Sequence, residues 1–386
     1  MTMDFASRVG RVEPSATLAI SNKAAELEAE GEDVVDLSVG EPDFDTPENI
    51  KQAAKDALDA GHTGYTSSNG IPELKEAIAE KLHDDGLTQY EADNVIVTPG
   101  GKQALYEIFQ TVIDDGDEVA LLDPAWVSYE AMVKLAGGSL TRVDTAAHDF
   151  QLEGALDELA EAVSDDTELL VVNSPGNPHG AVYSEEALEG VRDLAVEHDI
   201  TVISDEIYKE ITYDGVEAVS LGTLDGMEDR TVTLNGFSKA YSMTGWRLGY
   251  FAGPEELVSQ AGKVHSHSVS CAVNFVQHAG VEAITNTDEA VEEMRQAFAE
   301  RREFLIGLFE EHGVHVPEPQ GAFYMMPEIA PDGDDTEWCD KAISEAQVAT
   351  VPGSAFGTPG YARISYANSK ERLEEAVDRL AEHDLI

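Results

Sequence analysis

A lysine and an arginine lie eight positions apart in the segment GFSKAYSMTGWRLG, residues 236–249, whose other residues are apolar, small or hydroxylic. The chain has only 24 Lys and Arg against 76 Asp and Glu, so two cations in such a run need an explanation. A lysine amine can form a Schiff base with an aldehyde cofactor, and an arginine can hold a phosphate through two parallel hydrogen bonds. Taken alone, the segment would also suit a surface lysine at the edge of a turn. The pair Lys239 and Arg247 nevertheless predicts a site for a phosphorylated aldehyde.

Polar side chains also follow several predicted β-strands at the point where each strand ends. Short apolar runs with strand character occur at 94–98, 118–122, 168–173, 200–204 and 231–236. Amphipathic helical stretches such as 184–198 separate them, which indicates a largely parallel sheet covered on both faces. In such sheets ligands bind outside the carboxyl ends of the strands. The residues that follow these ends should therefore share one site: Gly101, Lys102, Trp126, Asn177, Asp205, Tyr208 and Lys239.

Six segments resemble the motifs of one enzyme family, the pyridoxal-phosphate (PLP) aminotransferases of class I/II. Besides residues 236–249, they are SVGEPDFDTP (38–47), YTSSNGIPELKEAI (65–78), GGKQALYE (100–107), VISDEIY (202–208) and ARISYA (362–367). The chain is most similar to the subgroup typified by bacterial and archaeal aspartate aminotransferases. The resemblance implies an α/β fold of type I, with a large PLP-binding domain at 48–285. A smaller α+β domain would combine residues 1–47 and 286–386.

The resemblance also implies roles around the cofactor ring. Lys239 would carry the covalent link, and Asp205 would keep the pyridine nitrogen protonated so that the ring can accept electrons. Since an unpartnered buried carboxylate is costly, Asp205 should have a cationic partner. Asn177 and Tyr208 would contact the phenolic oxygen, and Trp126 would stack on the ring face. The catalytic residues are thus predicted to be Lys239, Asp205 and Tyr208.

The cofactor phosphate would lie where a helix begins, because a helix N-terminus offers free N–H groups and the positive end of its dipole. Gly101, Lys102, Ser238 and Arg247 are expected at or beside it. In the family, a tyrosine at the position of Tyr65 reaches the phosphate of a neighbouring subunit. The resemblance therefore implies a homodimer with two composite sites.

The substrate would be held by a second set of residues that the same motifs identify: Gly40, Trp126, Asn177, Arg363, Thr17 and Lys102. Arg363 would bind the α-carboxylate. In the subgroup, the lysine of G-G-K and the hydroxyls of P-S-A-T recognise acidic substrates, and this chain has Lys102 and Thr17 there. An alternative is that Lys102 only supports the phosphate through its backbone amide. One departure concerns the turn N-P-T-G, in which His179 replaces the threonine and leaves the loop geometry open.

These features predict transamination between aspartate or glutamate and 2-oxoglutarate or oxaloacetate. Alternatives with the same cofactor are an aromatic-amino-acid or alanine aminotransferase and a carbon–sulfur β-lyase. A PLP-binding regulator is disfavoured because the chain starts almost directly with the aminotransferase motifs, without a DNA-binding segment. Two cysteines cannot form a disulfide framework, and the His265 and His267 pair without nearby cysteines is weak support for a metal site, so no metal is expected.

The formal net charge of -52 is spread along the chain rather than concentrated in a tail. Such a surface repels itself in dilute buffer, whereas molar salt shortens the Debye length to about 3 Å and screens the repulsion. The sequence therefore predicts a halophilic protein, and its charge opposes binding to nucleic acid. No apolar run approaches the length of a membrane span, and the N-terminus lacks the apolar core of a signal peptide. These observations predict a cytoplasmic location.

Overall fold

The computed structural model describes residues 4–331 and 333–386, so the first three residues of the predicted small domain and Asp332 lie outside the described part. The strands are β1 (Val35–Asp36), β2 (Val95–Thr98), β3 (Glu118–Asp123), β4 (Ser139–Asp144), β5 (Thr167–Asn173), β6 (Thr201–Asp205), β7 (Thr231–Gly236), β8 (Gly249–Ala252), β9 (Tyr324–Met325), β10 (Val348–Ala349), β11 (Val351–Pro352) and β12 (Ala362–Ser365).

Helices cover much of the remaining chain. They are α1 (Ala16–Glu30), α2 (Glu48–Asp59), α3 (Pro72–Asp84), α4 (Gly101–Val112), α5 (Val127–Ala136), α6 (Leu156–Ala162), α7 (Glu185–Glu197), α8 (Glu255–Ser268), α9 (Asn274–Asn286), α10 (Asp288–Glu311), α11 (Asp335–Ser344) and α12 (Lys370–Glu382). Within the described part of the chain, no helix combines the length and the apolar character that a membrane crossing requires.

The central sheet has seven strands in the order β2-β8-β7-β6-β5-β3-β4. β3 pairs in parallel with β4 and β5, and the parallel pairing continues through β6 to β7. β8 alone is reversed, because it pairs antiparallel with both β7 and β2. This sheet confirms the predicted α/β fold and the five predicted strands, while β4 and β8 were missed. β4 (SLTRVD) is a partly exposed edge strand with little apolar character, and β8 begins at the last residue of the segment 236–249, which was assigned to the cofactor site.

Both faces of the sheet are covered by helices, as predicted. In β3, Val119 and Leu121 pack with α4, α5 and α8, whereas Ala120 and Leu122 point the other way and pack with α6 and α7. This alternation follows from the two-residue period of a strand. Strands buried on both faces become near-continuous apolar runs, which is why the sequence identified most of them.

The N-terminal and C-terminal segments meet away from this sheet. β1 pairs in parallel with β10, and β9, β11 and β12 form a separate three-stranded sheet. One buried cluster joins Val35 with residues of α10 and α12 and with Tyr208 of the large sheet's loops. The predicted domain limits at 48 and 285 stay a prediction, and the long helix α10 begins just after the second of them.

Candidate active site

The predicted site residues gather in one cavity of about 500 Å³ at the edge of the central sheet where the parallel strands end. Its lining includes twelve of the thirteen residues that the sequence proposed: Thr17, Gly40, Gly101, Lys102, Trp126, Asn177, Asp205, Tyr208, Ser238, Lys239, Arg247 and Arg363. The strand ends bring most of them together, and Arg363 comes from β12 of the other sheet. Their roles stay predictions, but their common location is a property of the fold.

Tyr65 does not line this cavity. It lies in the loop between α2 and α3, and 91% of it is exposed to solvent. A large aromatic side chain so exposed contributes little to the stability of a single chain. Its predicted role at a neighbouring subunit's site is left untested by the structure of one chain.

The cations of the cavity lack acidic partners. Elsewhere most lysines and arginines lie within 4 Å of a carboxylate, as the acidic composition favours. Lys102, Lys239, Arg247 and Arg363 have no acidic side chain within that distance among the residues that the structure describes. Arg363 is buried and Lys239 is partly buried, and a charge removed from water without a partner is costly. Lys102 and Arg247 are exposed to solvent at the cavity, and together the four cations favour the binding of anions there.

Lys239 follows β7 and is surrounded by apolar and cationic groups. Its Nζ donates to the carbonyl of Gly40 and lies 5.6 Å from the ring centroids of both Tyr208 and Phe323. Burial, with a further contribution from the charge of Arg363, lowers the pKa of Lys239 to about 8. The neutral amine, which is the form that attacks an aldehyde, is therefore more abundant near neutral pH than in a lysine with the ordinary pKa of 10.5.

Asp205 ends β6, and its carboxylate is buried. Tyr129 donates its hydroxyl hydrogen to Asp205 Oδ2 at 2.7 Å, and the backbone amide of Ile207 lies 3.3 Å from Oδ1. The expected cationic partner is not found: within 4 Å the described chain has no Lys, Arg or His next to this carboxylate. Burial accordingly raises the pKa of Asp205 to about 6. The site therefore suits a ligand that brings its own positive charge.

Tyr129 was missed in the sequence, although one observation could have identified it. It lies three residues after Trp126, in the first turn of α5, so both side chains occupy the same face of that helix. Their rings meet edge to face, with centroids 5.4 Å apart. A tyrosine at this spacing from a proposed ring-stacking residue is a candidate partner for the same ligand.

Arg363 extends from β12 into the cavity and is 3% exposed. Its Nη1 donates to Asn177 Oδ1 at 3.2 Å, and its Nη2 donates to the carbonyl of Ser38. Its Nε has no hydrogen-bond partner among the described residues. Burial lowers the pKa of Arg363, so an anion in the cavity would stabilise the charged guanidinium.

Tyr208 and Tyr324 form a buried pair whose hydroxyl oxygens are 2.9 Å apart. Burial raises the pKa of both, so both remain neutral near pH 7. Tyr324 also limits the space at Gly40, because a Cβ atom added to that glycine would lie 2.7 Å from the Tyr324 hydroxyl oxygen. Tyr324 was not predicted, since it lies far along the chain from every motif that suggested the site.

The glycines at the start of α4 create room for an anion. Gly100 has a φ of +89°, and a Cβ atom there would lie 2.6 Å from Nη2 of Arg247. Gly249 of β8 touches the same backbone, because an added Cβ would lie 2.5 Å from the nitrogen of Gly101. The α4 N-terminus and the Arg247 guanidinium are thus neighbours, which suits a phosphate.

His179 stabilises the turn that contains Asn177, in which it replaces the threonine of the family motif. Its Nδ1 accepts a hydrogen bond from the amide of Ala181 at 3.0 Å, and its ring packs near Phe150 and Tyr183. Burial lowers the pKa of His179 to about 3, so the imidazole is neutral. The imidazole therefore supports the turn from behind, and Asn177 keeps its position in the cavity.

Of the two histidines in the HSHS segment, His265 is held by contacts inside the fold, whereas His267 is exposed. His265 is fully buried, and its Nδ1 lies 3.0 Å from the carboxylate of Glu107, while Nε2 is 2.9 Å from the carbonyl of Ser68. Across the described residues no group of three or more His, Cys, Asp or Glu side chains is placed to bind a metal ion.

The residues of the cavity fit PLP. The α4 N-terminus and Arg247 would hold its phosphate, Lys239 its aldehyde carbon, and the buried Asp205 a protonated ring nitrogen. The unsatisfied Nε of Arg363 leaves a place for a substrate carboxylate. Lys239, Asp205, Arg247 and Arg363 each lack an oppositely charged side chain within 4 Å among the described residues.

Comparisons with known proteins agree with this geometry. The sequence profile of "Aminotransferase class I and II" matches residues 32–380. The chain is 42% identical to aspartate aminotransferase from Bacillus subtilis, with 98% of each chain covered. It is 43% identical to aspartate/prephenate aminotransferase from Thermus thermophilus, with 97% of each covered.

Solved structures add the fold to this similarity. A crystal structure of aspartate aminotransferase from Thermus thermophilus with maleate superimposes with a TM-score of 0.95 at 43% identity, covering 99% of this chain and 100% of that one. The match therefore extends over all three sheets of the described chain and the segments that join them. The chain belongs to the class I and II aminotransferases, a family of PLP-dependent enzymes.

Proposed function

We propose that this aminotransferase exchanges amino groups between aspartate or glutamate and 2-oxoglutarate or oxaloacetate. The observation that carries the proposal is the set of four cations without acidic partners in one cavity. Two of them, Lys239 and Arg247, suit the cofactor. The other two, Arg363 and Lys102, remain for a substrate with two carboxylates. The relatives named above as aspartate aminotransferases support the same substrate class.

Different residues of the cavity would bind the substrate, hold the cofactor and move the proton. Arg363 would bind and orient the α-carboxylate together with Asn177, and Asp205 would hold a proton on the ring nitrogen of PLP. When bound, PLP supplies an electron sink for the electron pair left when the substrate loses its Cα proton. Lys239 Nζ would accept that proton and return it at the neighbouring carbon. Tyr208, neutral at pH 7, would donate a hydrogen bond to the phenolic oxygen.

An absorbance titration of the PLP-loaded protein against a panel of amino acids tests the reaction. We expect aspartate and glutamate to convert the cofactor to its aminated form without release of pyruvate or sulfide. Release of either product from a sulfur amino acid would identify a β-lyase instead. Equal conversion by alanine or an aromatic donor would contradict the proposed substrate class.

Lys102 is the proposed ligand of the substrate's distal carboxylate. Its Nζ lies 4.7 Å from the centroid of the Trp126 ring, and Thr17, whose hydroxyl is 2.8 Å from that of Ser15, lines the same cavity. A hydrogen bond to a charged group contributes about 1.5 to 3 kcal/mol. We therefore expect Lys102→Ala to lower kcat/KM for aspartate by roughly ten- to a hundredfold.

Steady-state kinetics with several donors checks this prediction. Activity with alanine or an aromatic donor should fall much less than activity with aspartate. Lys263→Ala is the matched control, because it removes the same charge from an exposed position on α8 outside the cavity. An equal loss for every donor would assign Lys102 to the cofactor phosphate.

We further propose that the working unit is a homodimer in which Tyr65 completes the partner's site. The exposure of this tyrosine in a single chain supports the proposal. Mixing Lys239→Ala with Tyr65→Phe, each weakly active alone, should restore activity, because a mixed dimer contains one site with both native residues. Sedimentation at the assay concentration should show a dimer, and a fully active monomer would refute the assembly.

The proposed setting is a salt-rich cytoplasm, and the charge of -52 supports it. We expect the protein to unfold as potassium chloride is reduced from molar to millimolar concentration, because unscreened repulsion then acts across its surface. Circular dichroism against salt concentration measures this. An equimolar series with sucrose separates charge screening from general stabilisation. Equal stability at both salt concentrations would contradict the halophilic proposal.

We also retain the two-domain division, with 48–285 as the large domain and residues 1–47 and 286–386 as the small one. Pairing of β1 with β10 and the buried cluster around α10 and α12 support it. Limited proteolysis tests the division, since first cuts inside the central sheet rather than near these limits would contradict it.

A further inference from the structure

A partly buried ion pair joins the edge of the central sheet to the loop that carries Trp126. Arg142 of β4 donates from Nε and Nη2 to the two carboxylate oxygens of Asp123, both at 2.7 Å. Asp123 ends β3 and is 5% exposed. The second Nη of Arg142 contacts Glu130 of α5. Because the pair is bidentate and its carboxylate is nearly buried, its geometry is more tightly fixed than that of a fully exposed ion pair.

Arg142 also contacts the turn between β11 and β12, which belong to the three-stranded sheet. Nη2 of Arg142 lies 3.4 Å from the carbonyl oxygen of Phe356, which also accepts a hydrogen bond from the amide of Ala125 at 2.9 Å. Gly357 has a φ of +96°, and any Cβ there would collide with the Asp123 carboxylate. The turn therefore packs directly against the ion pair.

Phe356 transmits this anchoring to the cavity. Its side chain is fully buried, and its ring centroid lies 5.2 Å from Cζ of Arg363. The ring of Tyr324 lies near the same guanidinium, at 4.9 Å. Arg363 is thus held between two aromatic rings, and the backbone of one of them is fixed by Arg142 and the Trp126 loop.

We propose that Arg142 is a positioning residue that sets the orientation of Arg363 through Phe356, and thereby the affinity for substrate carboxylates. The inference rests on the proposed role of Arg363 in the reaction. Arg142 itself does not line the cavity. The relation between the two arginines follows from one chain of contacts: Arg142 to the Phe356 carbonyl, and the Phe356 ring to Arg363.

Three variants test the proposal without relying on a single fold-sensitive change. Arg142→Gln removes the bidentate pair. Arg142→Gln combined with Asp123→Asn also removes the carboxylate that would otherwise stay buried and unpaired. Arg142→Lys keeps the charge but cannot form the two parallel hydrogen bonds. All are loaded with PLP and assayed in the same molar salt.

We expect all three variants to raise KM for donor and acceptor, and the dissociation constant of succinate measured by absorbance titration, by about five- to tenfold. This corresponds to the usual range of coupling between contacting residues. The kcat value at saturation and the retention of PLP should stay within about twofold of the wild type. A purely structural role would instead lower Tm and active fraction without a selective change in KM.

Arg372→Gln is the matched control. Arg372 of α12 also binds a carboxylate with two nitrogens, at 3.2 and 3.0 Å from Asp33, but Asp33 and Arg372 do not line the cavity. It should leave KM and the succinate affinity unchanged. Wild-type affinity in the double variant, or an equal fall of affinity in Arg372→Gln, would overturn the proposal.

Arg363→Ala separates this inference from the proposed function. If Arg363→Ala leaves succinate binding unchanged, Arg363 is not the carboxylate ligand and both proposals fail. If Arg363→Ala weakens succinate binding while the Arg142 variants bind normally, only the positioning role fails. If succinate binding is weakened in Arg363→Ala and in the Arg142 variants but is unchanged in Arg372→Gln, the positioning role of Arg142 is supported.

Discussion

Lys239→Ala is expected to lower turnover by at least about a thousandfold, because it removes both the covalent attachment and the group that moves the Cα proton. The variant should still bind PLP. The α4 N-terminus, Arg247, Asp205 and Trp126 all remain in the cavity. Borohydride reduction followed by mass spectrometry checks the covalent attachment. The cofactor should become fixed to Lys239 of the wild type and should wash out of the variant.

The lowered pKa of Lys239 adds a pH dependence to this result. With a pKa of about 8, the amine is mainly protonated below pH 8 and mainly neutral above it. Covalent capture of PLP by the cofactor-free wild type should therefore accelerate as the pH rises through about 8. Lys263→Ala serves as the control with normal capture. Near wild-type turnover in Lys239→Ala would show that another group does the chemistry.

Asp205→Ala should lose most activity, by at least about a hundredfold, because the ring nitrogen of PLP would no longer be held in its protonated form. Asp205→Asn should lose nearly as much, since the amide keeps a hydrogen-bond acceptor for Tyr129 but no negative charge. Tyr129→Phe removes only that hydrogen bond. It should cost much less, roughly tenfold or below. Stopped-flow rates of the half-reaction with aspartate measure all three variants.

Stability gives an independent test of the same carboxylate. The folded protein raises the pKa of Asp205 from about 3.8 to about 6, so the folded state binds the proton more tightly than the unfolded state. The wild type therefore loses stability as the pH rises through this interval. Cofactor-free Asp205→Asn should melt above the cofactor-free wild type at pH 7, and the difference should vanish below pH 4. If the Asp205 variants kept wild-type half-reaction rates and Asp205→Asn melted at the wild-type temperature, Asp205 would not be the residue that holds the proton on the ring nitrogen.

Much of the site could be predicted because its residues follow strands that are short, apolar and buried on both faces. Asp205 is the last residue of such a strand and Lys239 lies three residues beyond another, and the parallel pairing of these strands brings their ends to one edge of the sheet. Motif resemblance then supplied Arg363, which no strand-end argument would have placed with them.

Other features depended on contacts between distant parts of the chain. Tyr324 meets Tyr208 across 116 positions, and Arg142 lies on an edge strand that alternation did not identify. The partner of Asp205 was expected to be a cation but is the hydroxyl of Tyr129. Packing and solvation in the folded state determine which distant side chains become partners, and local sequence patterns do not contain this information.

The reversal of β8 has a consequence for how this site can change over evolution or by engineering. β7 and β8 are paired to their ends, at Gly236 and Gly249, so the loop 237–248 is closed at its base. That loop carries both Lys239 and Arg247. Lys239 and Arg247 are therefore inherited together as parts of one hairpin, and grafting that hairpin onto another protein would move both residues. Insertions or a new chain terminus within 237–248 would separate them, so lineages of this fold should vary in length elsewhere, such as at the exposed loops that join surface helices.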